Sequence, residues 1–416
     1  MKKIKNGIMA AVAATAGVAS LGGVTSCSKP MYSTVKHIAP YLHEITYDDY
    51  RYDEDEETTK GAEAFGCSSV RNGDFYGRNF DYIFNDTPEF VVRVKAKKNR
   101  HASIGIATHF GLREKKLLKG EYKKQLELVP NLTLDGINDA GVICSHNVVS
   151  MEAKTAGVTP ETNPNAAKKI HQLFVPRYIL DNAGSVDEAI KLLQDPGLNI
   201  QGNLNGDHFL HVMIADKDKT AIVEFFAQPG HNHFDVVVDY KTGNQQIMTN
   251  YYCNNHPTFT NKEKNGDERY EILKAGYETS NSFAGMEALM KQVMFSRAYR
   301  YSHNRVPMRV DWTDPQDEKI KYKGDLNSEW YSEFVDYSKI YEEDPETGKP
   351  LFDWNSYLVE LTLFKQDYWN ARLLDVRNPA EPNFWQTTHN STYDMKEKHL
   401  RVVVQEEYET YFDYYL

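Results

Sequence analysis

The stretch that decides the fold reads AFGCSSVRNGDFYGRNFDY and spans residues 64–82. Asn72 and Gly73 separate two alternating segments, which predicts a β-hairpin with a two-residue turn, because both positions of a type I′ turn need φ > 0. Counting outward from this turn places Cys67 opposite Arg78, with the two side chains roughly 5 Å apart. A guanidinium at that distance favours the thiolate over the thiol, so the hairpin indicates a catalytic arrangement.

A purely structural interpretation of the same hairpin is also open. Cys67 can be a small buried hydrophobe in an ordinary strand, and Arg78 a surface cation. Gly66 favours the catalytic interpretation because it leaves the backbone before Cys67 unhindered. Asp81 lies three residues beyond Arg78 and points to the other face of the sheet unless the strand bulges or ends there.

The first residues have the pattern of a bacterial secretion signal. Lysines at positions 2, 3 and 5 precede an apolar, Ala- and Gly-rich stretch at 8–24. The small residues before Cys27 resemble the lipobox of bacterial lipoproteins. We therefore expect a signal peptide at 1–27, a lipid on Cys27, and a lipid-anchored protein of the cell envelope that faces the periplasm or the surface. A transmembrane helix is the competing interpretation, but the stretch is short for a span of roughly 20 residues.

The remaining cysteines are Cys67, Cys144 and Cys253. Three is an odd number for an oxidising compartment. At least one thiol is therefore expected to be unpaired, which fits a reactive cysteine or a buried structural one.

Residues 28–66 are polar and acidic and predict a linker or propeptide, with one short strand near 42–47. The net charge of −11 and the pI near 5.7 argue against a nucleic-acid partner, because no basic stripe covers phosphates.

Residues 67–416 predict one domain. Strands are expected at 67–82, 90–95, 102–107, 132–137, 142–149, 208–216, 220–228, 235–239, 246–249, 386–394 and 399–406, and helices at 166–182, 185–193, 268–278 and 283–294. Antiparallel strands with helices clustered between them indicate an α+β sandwich. Residues 303–350 break the pattern and predict an insertion or lid.

Several motifs along the body resemble one family. The run around Cys67 and Arg78 is similar to the start of choloylglycine hydrolases and penicillin V acylases, which are linear-amide hydrolases of the N-terminal-nucleophile superfamily. Further similar segments are Leu134 to Val142, Ser145-His146-Asn147, Met248-Thr249-Asn250, Glu268-Arg269-Tyr270 and Thr392-Tyr393-Asp394. The 66 residues before Cys67 resemble the branches with a propeptide, which include acid ceramidase and N-acylethanolamine amidase types.

The resemblance implies a four-layer αββα fold and a nucleophilic Cys67. Cleavage before Cys67 would free an α-amino group with a pKa near 8 that acts as general base for its own thiol. Arg78 would stabilise the thiolate, and Asp81 would hold the α-amino group.

Two asparagines and one arginine complete the implied site. Asn147 corresponds to the oxyanion-hole residue, Asn250 to a ligand of the α-amino group or substrate, and Arg269 to the late active-site arginine, with Arg297 and Arg300 as alternatives. Without the family, the asparagines read as turn or strand-end residues and Arg269 as half of a surface ion pair with its neighbour.

No cofactor or metal is expected. His208 and His211 point to opposite faces of a predicted strand, whereas His231 and His233 have the right parity but no third ligand nearby in the sequence.

The expected partner is a small N-acyl amide, such as a conjugated bile salt, penicillin V or a fatty-acyl amide. Acyl transfer to an amine, a surface binding lipoprotein that never matures, and a homo-oligomer are left open.

Overall fold

The fold was analysed in a computed structural model. The structure describes residues 31–52, 66–84, 87–150, 160–202, 208–227, 230–241, 245–254, 266–294, 305–307, 334–336, 384–405 and 410–416. The predicted signal peptide, Cys27, and the alternatives Arg297 and Arg300 lie outside these residues.

Strands dominate the described chain. They are β1 Lys36–Ala39, β2 Leu42–Tyr47, β3 Gly66–Asn72, β4 Phe75–Phe84, β5 Glu89–Val94, β6 Ser103–Thr108, β7 Thr133–Asn138, β8 Ile143–Ser150, β9 Lys168–His171, β10 Leu198–Gln201, β11 His208–Ala215, β12 Thr220–Ala227, β13 Phe234–Lys241, β14 Gln245–Met248, β15 Arg305–Pro307, β16 Phe334–Asp336, β17 Phe384–Asp394, β18 His399–Val404 and β19 Phe412–Tyr415. The α-helices are α1 Glu114–Leu117, α2 Val175–Asn182, α3 Val186–Leu193, α4 Asp267–Ala275 and α5 Phe283–Gln292, and short 3₁₀ turns span Gln125–Glu127, Val129–Leu132, Gln172–Phe174 and Tyr277–Thr279.

Two large sheets form the centre of the fold. The first has nine strands in the order β1-β2-β5-β6-β7-β8-β11-β12-β13, and the second has six in the order β14-β3-β4-β17-β18-β19. All pairs in these two sheets are antiparallel except β2 with β5, which run parallel. Side chains from both sheets, among them Tyr76, Ile106, Met213 and Leu400, share one apolar cluster. The sheets therefore pack face to face.

Helices cover the outer faces. Helix α2 packs on β7 and β8 and α3 on β11 and β12, whereas α4 packs on β14 and β3 and α5 on β4 and β17. Helix α3 shows why: its buried residues recur at i, i+3, i+4 and i+7, and the Ser185 hydroxyl accepts the Glu188 N–H at its start. The layers are αββα, and the predicted α+β sandwich is confirmed.

The hairpin of β3 and β4 has a different register from the one predicted. The turn is Gly73-Asp74, so Cys67 lies opposite Phe80, and Ser69 lies opposite Arg78. Gly73 supplies the positive φ, of 61°, that a two-residue hairpin turn needs at its first position. Because the register moves by two residues, Cys67 and Arg78 stay on the same face as diagonal neighbours.

The stretch predicted as a linker or propeptide contributes two strands to the nine-stranded sheet. The predicted strand near 42–47 is present as β2, whose burial pattern is typical of a core strand, and β1 pairs with it at the sheet edge. β2 runs parallel to β5, which places it inside the sheet. The described part of this stretch is therefore folded.

The helix predicted over 166–182 is wrong in its first half. Lys168–His171 is strand β9, which pairs in parallel with β10, and the helix begins only at Val175. Pro176 in the first turn explains the start, because proline tolerates that position but not a helix interior.

The predicted insertion at 303–350 lies outside the described residues except for β15 and β16, which pair as a two-stranded ribbon. Within the described chain, no helix is long and apolar enough to cross a membrane.

Candidate active site

Cys67 lies near the start of β3 and is buried. Its side chain belongs to an apolar cluster with neighbours such as Phe80, Phe110 and Leu173. Burial, with a smaller contribution from the Asp81 carboxylate, raises the pKa of the thiol to about 11, although Arg78 and Arg269 lower it. The predicted guanidinium effect is present, but desolvation outweighs it, so the thiol is protonated at neutral pH while the chain before it is intact.

Arg78 reaches the thiol diagonally across the hairpin. Its Nη2 lies 3.7 Å from Cys67 Sγ and donates to the His146 carbonyl oxygen at 3.2 Å. Its Nη1 pairs with Asp135 Oδ2 at 3.2 Å. The guanidinium also stacks on the Phe80 ring, 4.7 Å from its centroid. These contacts fix the positive charge beside the sulfur.

Asn250 receives the backbone of the nucleophile. The Cys67 N–H donates to Asn250 Oδ1 at 2.7 Å, and Asn250 Nδ2 donates to the Val148 carbonyl oxygen at 2.8 Å. Cleavage of the bond before Cys67 would put an α-amino group at this same nitrogen. Asn250 is therefore placed to orient that group.

Arg269 lies on the other side of Cys67. It donates to the Cys67 carbonyl oxygen and, at 2.6 Å, to Asn250 Oδ1, and it pairs with Asp81 Oδ2 at 3.4 Å. Helix α4 carries Arg269 three residues after Gly266, where φ is +89° and an added Cβ would come within 2.5 Å of the Arg269 guanidinium. The structure thus brings Arg269 into contact with the backbone of Cys67.

Asp81 lies opposite Gly66 and so faces away from the thiol side of the hairpin. Its Oδ1 accepts the Thr387 hydroxyl at 2.6 Å, and its Oδ2 faces Arg269. Asp81 therefore holds Arg269, and its carboxylate also acts directly on the Cys67 thiol, whose pKa it raises.

Asn147 joins the site through the strand end that carries Asn250. Its Nδ2 donates to the carbonyl oxygens of Met248 and Thr249, each at 3.0 Å, and Ser69 Oγ donates to its Oδ1 at 3.2 Å. Donation to an oxyanion requires one of the two amide hydrogen bonds to open.

A buried group of charges, His389 with Asp135 and Glu89, lies behind Arg78 and was not predicted from the sequence. His389 Nε2 lies 3.0 Å from Asp135 Oδ2, and His389 Nδ1 lies 3.3 Å from Glu89 Oε2. Desolvation lowers the pKa of His389, but Glu89 and Asp135 outweigh it and raise that pKa above its usual value. Burial opposes ionisation of Asp135, yet His389 and Arg78 hold its pKa at about 2. This group anchors the arginine that faces the sulfur.

A second buried group, Glu224 with His211, lies behind Asn250. Glu224 accepts the backbone N–H groups of Cys253 and Asn254 at 2.7 and 3.0 Å and the Asn254 side-chain amide at 2.7 Å. His211 Nδ1 lies 3.2 Å from Glu224, and His211 Nε2 donates to the Thr249 carbonyl oxygen at 2.9 Å.

This group fixes the chain on both sides of Asn250. The sequence signal was a carboxylate in the middle of the apolar strand TAIVEFFA, because a buried acid needs partners.

The other thiols are Cys144, in the apolar cluster under α2 and α3, and Cys253, whose backbone N–H binds Glu224. Within the described chain, Cys67, Cys144 and Cys253 are all free. Burial raises the pKa of Cys144 and Cys253, and the nearest carboxylates, Asp135 and Glu224, raise it further.

Comparison with known proteins bears on this arrangement. A family model described as acyl-coenzyme A:6-aminopenicillanic acid acyl-transferase matches residues 131–305. Over this segment, the match confirms the predicted resemblance to the N-terminal-nucleophile hydrolase family. The matched segment contains Asn147, Asn250 and Arg269, whereas Cys67 precedes it.

Two solved structures align with most of this chain. A mutant of the conjugated bile acid hydrolase from Clostridium perfringens is 15% identical, with 84% of this chain and 92% of that chain covered and a TM-score of 0.36. The penicillin V acylase from Agrobacterium tumefaciens is 16% identical, with 82% and 83% covered and a TM-score of 0.34. No curated protein matches the chain.

Proposed function

We propose that this N-terminal-nucleophile hydrolase is a cysteine amidohydrolase that cleaves the linear amide bond of an N-acyl compound. The observation that carries the proposal is the set of contacts around one residue: Asn250 holds the Cys67 nitrogen, Arg78 lies beside its sulfur, and Arg269 binds its carbonyl oxygen. Each polar atom of a future N-terminal cysteine already has a partner there.

Maturation supplies the base. Hydrolysis of the Gly66–Cys67 bond would free an α-amino group with a pKa near 8, which can take the proton from the thiol at neutral pH. The thiol pKa of about 11 in the intact chain favours the protonated form until that base exists. We infer that the chain is poorly nucleophilic toward substrates before cleavage.

The reaction then proceeds in two acyl-transfer steps. The Cys67 sulfur attacks the amide carbonyl, the amine leaves with the proton held by the α-amino group, and water hydrolyses the thioester. Asn147, with one amide hydrogen bond opened, would donate to the oxyanion that forms in both steps. Asp81 would hold Arg269 in place.

Substrates of this class combine an apolar acyl part with an amide. Conjugated bile salts, penicillin V and fatty-acyl amides satisfy this description, and the apolar cluster beside Cys67 supports an apolar acyl group. Acyl transfer to an amine is the second candidate, because the matched family model is described as an acyl-transferase.

We also propose that the protein works at the cell envelope. The support is the sequence pattern of a signal peptide followed by Cys27. A lipid on Cys27 would hold the enzyme at the membrane surface, where apolar acyl compounds accumulate.

The test is the intact mass and N-terminal sequence of the full chain beside those of Cys67→Ala. We expect the wild type to show a new N-terminus at Cys67, and the variant to keep the Gly66–Cys67 bond and hydrolyse no N-acyl amide. An intact bond in both proteins would point to a binding lipoprotein or to a separate protease. Amidase activity in Cys67→Ala would refute the proposed role of Cys67 as the nucleophile.

A partition experiment distinguishes hydrolysis from acyl transfer to an amine. With a processed enzyme and an active substrate, a free amine is added and the fraction of acyl group transferred to it is measured. A hydrolase releases mainly the free acid, whereas an acyltransferase forms mainly the new amide.

A further inference from the structure

Two histidines and a glutamate meet at the edge of the nine-stranded sheet, away from Cys67. His37 on β1 and His43 on β2 are cross-strand partners in the hairpin. Glu114 begins helix α1, 71 residues beyond His43. The ligand atoms of all three side chains lie within 4.8 Å of one another.

The distances suit a shared cation. Glu114 Oε2 lies 2.7 Å from His43 Nε2, and Glu114 Oε1 lies 3.7 Å from His37 Nδ1. Zinc binds nitrogen and oxygen at about 2.0–2.2 Å, so two ligand atoms on a tetrahedral ion lie about 3.3 Å apart. One observed distance is shorter and the other longer than this value. Shifts of the side-chain ligand atoms by about half an ångström would bring both distances to it.

The charge balance points the same way. Only 8% of the Glu114 side chain and 2% of the His43 side chain are exposed. Within the described residues, the ion-pair partners of Glu114 are these two histidines, and neither carries a fixed charge. A carboxylate removed from water needs a cation or several donors, and Tyr41 supplies one long backbone hydrogen bond, of 3.4 Å.

We propose that His37, His43 and Glu114 bind one divalent transition-metal ion, with zinc the best match. Two imidazoles and one carboxylate are a ligand set that zinc accepts with a fourth position left for water. The fourth position would be open to solvent, because 46% of the His37 side chain is exposed. Imidazole ligands select against calcium and magnesium, which prefer oxygen.

Bound zinc would tie two parts of the chain together. The hairpin lies in the stretch before Cys67, whereas Glu114 lies after it. The ion would therefore fasten the leading stretch to the body whether or not the Gly66–Cys67 bond is cleaved. This inference does not depend on the proposed function.

Two other clusters are weaker candidates. Glu224, near His211 and Cys253, already accepts backbone and side-chain donors on both oxygens, so a metal would have to displace them. His231 and His233 lie 3.1 and 3.9 Å from Asp235.

Asp235 was not predicted to lie beside His231 and His233. All three side chains of that cluster are at least 29% exposed, however, and their rings and carboxylate are free to move apart.

The experiment is a zinc titration of the full chain after treatment with a chelator, read by calorimetry and by the thermal unfolding midpoint. The test variant is His37→Ala, because His37 is half-exposed and its loss leaves the His43–Glu114 hydrogen bond intact. His101→Ala is the matched control, since His101 is a partly exposed histidine paired with Asp139. His231→Ala reports on the exposed cluster.

We expect the wild type and both control variants to bind one zinc ion and to unfold at a higher temperature with it. His37→Ala should bind zinc at least tenfold more weakly and lose that shift. The proposal is wrong if the wild type binds no zinc, if His37→Ala matches the wild type, or if the loss occurs only in His231→Ala.

Discussion

Cys67 and Cys144 are both fully buried thiols on central strands, yet their surroundings differ in charge. Cys67 on β3 has Arg78 and Arg269 beside it, and its pKa is raised to about 11. Cys144 on β8 lies in the apolar cluster under α2 and α3, and the Asp135 carboxylate raises its pKa further. Burial alone makes a thiol inert, so under the proposed function the reactivity of Cys67 would come from the fixed cations and from a base made by cleavage.

The largest expected effect is on Cys67 itself. Cys67→Ser keeps a nucleophile that can take part in cleavage but replaces the thiol with a far weaker acid. We expect the variant to mature, as read by its N-terminal sequence, and to hydrolyse amides roughly a thousandfold more slowly. Near wild-type turnover in Cys67→Ser would show that catalysis does not depend on stabilisation of a Cys67 thiolate by Arg78 and Arg269.

The next effect concerns the oxyanion donor. Asn147→Ala should lower kcat about 10²- to 10³-fold, because one donor to the oxyanion is worth about 2.7–4 kcal/mol. The measurement is steady-state kinetics, with circular dichroism to show that the fold is kept. A change in KM with kcat unaltered would assign Asn147 to substrate binding instead.

A smaller effect is expected behind Asn250. In Glu224→Gln one oxygen becomes an NH₂ group, which cannot accept the N–H group that it faces, that of Cys253 or that of Asn254, and the remaining acceptor loses its charge. Hydrogen bonds to a charged group are worth about 1.5–3 kcal/mol, so kcat should fall roughly ten- to hundredfold.

Hydrogen exchange gives an independent measure of Glu224 in the Cys67→Ala background, where no chemistry occurs. The amides of Cys253 and Asn254 should exchange faster in Glu224→Gln than in the matched control Glu161→Gln, which alters an acid bound to Asn199. Equal exchange in the two variants would contradict the positioning role.

The charges behind Arg78 predict a pH effect on stability. The pKa of His389 is raised in the folded state, so its contribution is complete below the unfolded pKa near 6.5 and is lost as pH rises through the folded value. The free energy of unfolding, measured by urea denaturation, should therefore fall as pH rises above the unfolded pKa, by at most about 1.4 kcal/mol per pH unit. His389→Gln should flatten this fall, and an unchanged slope would refute protonation of His389.

The smallest effect is expected at the comparison thiol. Cys144→Ala removes a sulfur from an apolar cluster, which should cost about 1 kcal/mol of stability and leave kcat/KM within twofold. The checks are urea denaturation and steady-state kinetics. Loss of activity would mean that Cys144 contributes to the site after all.

Local patterns were enough to predict the hairpin and to place Cys67 beside Arg78. Cys67 and Arg78 were placed on one face by alternation alone, and that placement survived a register error of two residues, because side chains alternate with a period of two. The error arose at the turn, where Asn72-Gly73 has the typical type I′ composition but Gly73-Asp74 forms the turn. Pairing of Asn72 with Gln245 on β14 extends strand β3 by one residue.

Long-range partners were harder to predict. Arg269 and Asn250 were found only through the family resemblance, and Glu224, Asp135 and His389 were not found at all. These side chains come from strands and helices far apart in the chain, and no local periodicity records which strand will neighbour another. The stretch before Cys67 was predicted as a linker or propeptide with one short strand, because no local signal records that β2 pairs with β5.

The sequence by itself determined the alternation of strands, the helix start capped by Ser185 and the position of a cysteine after a glycine, because these depend on backbone preferences within a few residues. Tertiary structure decided the rest of the charge around each thiol. Packing of helix α4 brought Arg269 to Cys67, and packing of β7 left Asp135 near Cys144. The physical reason is that desolvation acts on every buried thiol alike, whereas the field that offsets it depends on neighbours that only the fold assembles.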